Sequence, residues 1–322
     1  MQPNLVSFCL SSTYDVLPSP GNLKRWRICT EASCFLCEKK LCNTAHILGA
    51  CKTALAQGGF TFRHDSVLKE IVELLTTFCK SITSPVKQLN SIKFVKAGAH
   101  THGKKSKLTS LLHLACDWMI MSDLKDGFVF PGHIALTPLR PDLVIYTNNR
   151  KHVIVIELTC PCEENMETWH STKMSKYNPL VNIIKQNGWH IDLFAIEVGA
   201  RGYCSRSVSS CLKRLGLDRK KTFQAARQLG DMCMKASFCI WVARNTKVWN
   251  EHSHIPISTS CSIPTPLMPK AKQPTVTKPN RPVKAGPDPP THSKVIHAGL
   301  INKGNTCDAT SILQALTAIP SF

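Results

Sequence analysis

Acidic side chains are scarce in this chain. Its 322 residues carry 21 Asp and Glu against 40 Lys and Arg, a formal net charge of +19, with a pI near 9.4. So one-sided a balance argues for a partner with a phosphate backbone, DNA or RNA. A solvated basic face or a polybasic membrane-surface patch is the blander explanation, but no basic amphipathic helix supports the membrane version. Long apolar runs are absent too: none approaches the ~20 residues that span a bilayer. The start, MQPNLVSFCLSS, has neither a basic n-region nor a long apolar segment. Secretion and membrane insertion are therefore not expected, and the expected compartment is the nucleus, with the cytosol second.

Cysteine, by contrast, is abundant. Sixteen cysteines without an export signal favour metal ligation or reduced thiols over disulfides. With 43% apolar residues the chain can bury a core. Residues 13–62 are short, polar and cysteine-rich. A helix is expected at about 65–82, capped by Asp65 or Ser66, with Val67, Leu68, Ile71, Leu74, Leu75 and Phe78 at helical spacing. A second helix is expected at 107–121, after the basic segment HTHGKKSK at 100–107. Two β-branched runs then flank the polar turn Thr147–Lys151 and read as a β-hairpin. A helix over about 165–187, a strand at 190–198 and helices at 206–215 and 219–240 complete an α/β domain on a mixed sheet. From 251 to 295 the composition shifts: ten prolines and six Lys or Arg stand against two acids. That segment reads as an extended basic linker.

Cys34-x2-Cys37-x8-His46-x4-Cys51 offers three thiolates and an imidazole at spacings that close a tetrahedral shell. A structural Zn²⁺ would supply the folding energy that this small segment cannot obtain from a core. The alternative is a chance grouping of buried cysteines, and Cys42 shows that extra cysteines occur here.

The hairpin carries a second set of candidates. With the turn centred between Asn149 and Arg150, Asp142 falls opposite Glu157. Opposed residues share a face with Cβ atoms about 4.5–5.5 Å apart. Two bare carboxylates that close repel and raise one pKa; a hard divalent cation such as Mg²⁺ resolves the conflict. Many metal-dependent nucleases place a lysine two residues after the second acid, but that place is Thr159 here. The positive charge is therefore expected from the next helix, where Lys173, Lys176 and Tyr177 share one face. A lysine there would orient the attacking water or neutralise phosphate charge. Arg63 is expected to hold a phosphate at the site's edge, with His64 beside it. Glu70, a turn on, is a candidate for contact with metal-bound water. Glu163 is read only as a first-turn acid. The bland alternatives are a strand-start acid at Asp142, a buried Glu157 paired with Arg140, and a solvated KxxK face.

TYDVLPSPGNLKRW, the Cys/His spacing, HILGAC, FTFRHDSVL, RPDLVIY, IELTCP, KMSKY and VGARGY together resemble the C-terminal part of reverse transcriptases from non-LTR retrotransposons with a restriction-like endonuclease. The resemblance covers about residues 13–249. It implies a CCHC zinc knuckle followed by a PD-(D/E)XK nuclease that nicks target DNA, whose 3′ end then primes reverse transcription. It carries Asp142, Glu157, Lys173 and Lys176 over as active-site residues, and Arg63 and His64 as a signature of the domain's start. The chain departs from that pattern at Glu38-Lys39, where a glycine is common, and in CEENM after Pro161. No polymerase segment precedes the knuckle, so a fragment acting alone or with a separate polymerase chain is expected.

In the tail, GLINKGNTCDATSILQAL is similar to the cysteine box of ubiquitin-specific proteases. Cys307 matches the nucleophile and Asn302 the oxyanion-hole side chain. Asp308 and Thr310 depart from that pattern, and the activating histidine and acid would have to follow Phe322. Ubiquitin is a partner only in a longer chain. The expected organisation is thus 1–62 with the knuckle, 63–249 endonuclease, 250–296 linker and 297–322 protease-like remnant. The competing functions are a nicking endonuclease, a non-catalytic nucleic-acid-binding module and the start of a deubiquitinase.

Overall fold

The two central strands are apolar along their whole length, so both of their faces must be covered. A computed structural model describes residues 3–85, 110–124 and 128–249. In chain order the elements are α1 (Pro3–Thr13), α2 (Pro20–Arg25), α3 (Lys52–Ala56), α4 (Gly59–Lys80), β1 (Met119–Ser122), β2 (Leu143–Thr147), β3 (His152–Thr159), α5 (Met166–Gln186), β4 (His190–Glu197), α6 (Arg206–Leu215) and α7 (Arg219–Val242). The strands form one mixed sheet in the order β1-β2-β3-β4. The first three are antiparallel neighbours, and β4 runs parallel to β3. A parallel neighbour needs a long crossover, and α5 supplies it. The basic segment at 100–107, the Pro-rich stretch and the tail with Asn302 and Cys307 lie outside the described residues.

Alternation along the strands divides the core. Leu143, Ile145, Ile154, Ile156 and Leu158 pack with Val67, Leu68, Ile71 and Leu75 of α4 and with residues of α6 and α7. Val144, Tyr146, Val153 and Val155 pack with Tyr177, Leu180 and Ile184 of α5. The result is three layers, helix–sheet–helices, which accounts for the continuous apolar runs of β2 and β3. A third cluster joins Cys34, Ile47, Leu48 and Cys51 to Phe8 of α1 and Phe238 and Trp241 of α7. The cysteine-rich segment therefore shares α7 with the sheet. The expected boundary between residues 62 and 63 falls inside the first turn of α4.

The hairpin register is as the pattern dictates: Leu143 pairs with Ile156 and Thr147 with His152, around a four-residue turn. The helix expected at 107–121 is not formed in its described part. A 3₁₀ turn occupies Leu112–Leu114, and Met119–Ser122 is the edge strand β1. There Trp118 Nε1 donates to Leu112 O at 2.8 Å, closing the turn.

Candidate functional site

Asp142 lies just before β2, and the pair it makes with Glu157 continues the hairpin ladder. Asp142 N donates to Glu157 Oε2 at 3.2 Å, and Leu158 N donates to Asp142 Oδ2 at 2.7 Å. Both side chains are thereby fixed on the α5 face of the sheet. Glu157 is 2% exposed. Burial, and then the nearby Asp142 charge, raise its pKa, against the lowering effect of Lys173.

Lys173 is the cation that answers this charge: its Nζ donates to Glu157 Oε1. Arg140, the alternative partner considered for Glu157, meets Asp123. Tyr177, one turn beyond Lys173, is buried and donates to Arg140 O at 3.1 Å. Lys176 is exposed, 3.3 Å from Tyr177 Oη and 4.8 Å from the ring centroid. Of the lysines on one face, then, only Lys173 reaches the acids.

His64 closes the site from the other side of the sheet's end. Its Nε2 lies 3.3 Å from Asp142 Oδ2 and its Nδ1 2.9 Å from Asp65 Oδ1. Burial disfavours the charged ring, but the two aspartates outweigh it and push the pKa up to about 10. His64 is therefore a cation at neutral pH. A polar cleft of about 590 Å³ opens here, lined by Thr61, His64, Asp65, Asp123, Leu124, Arg140 and Asp142.

One expectation is corrected. Arg63 does not hold a phosphate at the site's edge. It is 2% exposed, and its guanidinium donates to Leu48 O at 2.7 Å, Ser237 Oγ at 3.1 Å and Cys160 O at 2.7 Å. These three contacts tie the cysteine-rich segment, α7 and the exit of β3 together. Glu70 lies six residues beyond His64 on α4, about 9 Å along the axis. Among the described residues no hydrogen bond or ion pair joins it to Asp142 or Glu157. Glu163, read as a helix-start acid, does more than that. Its Oε1 accepts from Arg201 N at 2.7 Å and its Oε2 from Arg201 Nη1 at 2.9 Å. This seats the VGARGY loop so closely that a Cβ on Gly199 would fall 2.3 Å from Glu163 Oε1.

One polar cluster has no sequence signature. Glu197, at the end of β4, is bonded by His170 of α5 and by Ser205 and Ser207 at the start of α6. Its members come from separate segments with no motif spacing, and only the register of β4 against β3 brings them beside Glu157.

The Cys/His set does assemble. One donor atom from each of Cys34, Cys37, His46 and Cys51 lies within 4.8 Å of all the others. Cys34 and Cys51 sulfurs are 3.9 Å apart, and Cys37 Sγ is 3.3 Å from His46 Nε2. A tetrahedral ion with ligand bonds of about 2.3 Å has donor–donor edges of about 3.8 Å, so the four fit a metal ion such as zinc. The left-handed residue in the turn is Glu38, at φ 57°, and its N donates to Cys34 O at 2.8 Å. Burial, then the charges of neighbouring thiols, push the Cys42 thiol up to about 12; it is a neutral bystander. The wide turn His46–Ala50 presses on the strand–helix connection, where a Cβ on Gly49 would meet Cys162 Sγ at 2.9 Å.

No helix among the described residues is long and apolar enough to cross a membrane. No protein-family model matches the chain, and a search of curated proteins finds no match to it.

Proposed function

We propose that this chain binds nucleic acid and hydrolyses DNA phosphodiesters with Mg²⁺, as a PD-(D/E)XK-type nicking endonuclease with a zinc knuckle, of the kind carried by non-LTR retrotransposon reverse transcriptases. The observation that carries the reading is the Asp142–Glu157 pair locked across a hairpin end with Lys173 ion-paired to it. Asp142 and Glu157 suit a hard cation: they are close carboxylates, Glu157 is raised partly by Asp142, and a divalent ion would relieve that conflict. Mg²⁺, when bound, would supply Lewis-acid stabilisation of phosphate charge. Lys173 would contribute a fixed positive charge next to the phosphate. His64, which lines the cleft beside Asp142, would meet the DNA backbone there. The knuckle and the +19 charge would provide docking on DNA or RNA, beside a separate polymerase chain and in the nucleus.

The test is nicking of supercoiled plasmid by the purified chain. Nicking should require Mg²⁺ and vanish in Asp142→Ala and in Glu157→Ala. Equal nicking by wild type and both variants would sink the reading.

A second reading, a binding module without cleavage, is favoured by one observation: both carboxylates already have partners within the protein, in Lys173, His64 and two backbone N–H groups. It predicts salt-sensitive DNA binding with a steep log–log slope, unchanged in the acid variants, and no Mg²⁺-dependent nicking.

A further inference from the structure

The polar cluster around Glu197 is a buried titratable group that the proposed chemistry leaves unused. Glu197 is 3% exposed. Its Oε2 accepts from Ser205 Oγ at 2.9 Å and from Ser207 Oγ at 2.7 Å, and its Oε1 faces His170 Nδ1 at 2.8 Å. The carboxylate serves as the acceptor throughout, so the His170 contact places a ring proton on Nδ1; in the neutral ring the lone pair then lies on Nε2. Both serine hydroxyls donate to the carboxylate rather than to the ring. They hold Glu197 in place and are not poised as nucleophiles. The His170 side chain is 42% exposed, so its outer nitrogen is open to a substrate.

This dyad sits beside the acids. Thr159 pairs with Glu197, and Glu157 with Ala195, on parallel neighbouring strands; Glu157 and Glu197 thus share the face covered by α5. From strand spacing and rise, their Cα atoms are about 8 Å apart. His170 stands one turn before Lys173 on the same helix, with about 5–6 Å between Cβ atoms. Between the two carboxylates, Thr159 is 9% exposed and its Oγ1 has no hydrogen-bond partner among the described residues. That leaves an unmet hydrogen bond where a water would approach. A positioned side chain able to accept a proton speeds hydrolysis, and the nearer candidates are already engaged. Lys173 is ion-paired to Glu157, both ring nitrogens of His64 face aspartate oxygens, and the buried Tyr177 hydroxyl is bonded to Arg140 O.

We infer that His170, oriented by Glu197, is the general base that takes the proton from the attacking water at the Asp142–Glu157–Lys173 site. The inference rests on the nuclease reading. In the step, the water oxygen bonds to phosphorus and its proton passes to His170 Nε2. The P–O3′ bond breaks with its electron pair on the 3′ oxygen, which takes a proton from solvent. His170 then returns its proton to solvent.

Two measurements test it. In ¹⁵N-histidine NMR of the full chain, neutral His170 should be protonated at Nδ1, and Glu197→Gln should weaken that preference; an Nε2-protonated ring in the wild type overturns the assignment. In Mg²⁺-dependent plasmid nicking, His170→Ala should lower the turnover rate by about 10²–10⁴-fold with plasmid affinity unchanged. Added imidazole should restore part of the lost rate, and 4-methylimidazole, a stronger base, should restore more. Glu197→Gln should slow nicking less and gain nothing from imidazole, because its ring is still present. An undiminished rate in His170→Ala, or a loss that imidazole does not rescue, overturns the base while leaving the nuclease reading intact. A wild type without Mg²⁺-dependent nicking overturns both.

Discussion

Lys173 and Lys176 are one helical turn apart, and the structure gives them different surroundings. Lys173 is 20% exposed and neutralises a buried carboxylate, whereas Lys176 lies exposed over Tyr177. Lys173→Ala should slow nicking by about 10²-fold. It should also cost about 3–5 kcal/mol of stability, because Glu157 is left buried without its partner. Lys176→Ala should change stability by less than about 0.5 kcal/mol; initial nicking rates and urea midpoints check both. His64 has a pH signature. Its folded pKa, about 10, lies above the ordinary 6.5, so its contribution is complete below about pH 6.5 and lost as pH rises through 10. The stability gap between wild type and His64→Gln should be widest at pH 6 and close by pH 10.5 in urea titrations. The adjacent letters Arg63 and His64 marked a candidate stretch in the sequence, but not which of the two faces the cleft. Consecutive helix positions are about 100° apart. One therefore points into the core and is consumed by carbonyl oxygens, while the other faces the cleft. Nothing local to the sequence says which.

At the scale of elements, the hairpin was the most legible part. Two unbroken apolar runs around a short polar turn fix the turn's centre, and the centre sets the register, so the opposition of Asp142 and Glu157 followed from the pattern alone. The amphipathic helices 165–187, 206–215 and 219–240 were legible for the same kind of reason. The edge strand β1 was not: Leu111, Leu112, Leu114, Ala115 and Trp118 sit at helix-like spacing, and four residues are too few to display strand alternation. Glu197 was invisible as a site residue because its partners arrive from α5 and α6. Close approach makes two element-scale predictions. Gly199→Ala should cost about 1–3 kcal/mol, since the new methyl would overlap the Glu163 carboxylate that seats the loop. Glu38→Gly should relieve a left-handed residue worth up to about 1 kcal/mol, and should tighten metal binding in a competition titration against a chelating dye.

For the molecule as a whole, the Cys/His segment and the sheet are joined through α7 and Arg63, so they should unfold together. Stripping the metal with a chelator should lower the melting temperature of the sheet as well as that of the knuckle, in one transition; two separate transitions would show independent modules. Cys37→Ser should reproduce the effect and abolish stoichiometric zinc in elemental analysis. The Arg63 clamp carries one more consequence. A single guanidinium grips Leu48, Ser237 and Cys160 at once, which ties the Cys/His segment to the strand end that follows Glu157. A duplex held by the knuckle would be cut at a constant number of base pairs from the point of grip. The clamp would make the protein a ruler, and loosening it with Arg63→Lys would blur the nick into a ladder of neighbouring positions.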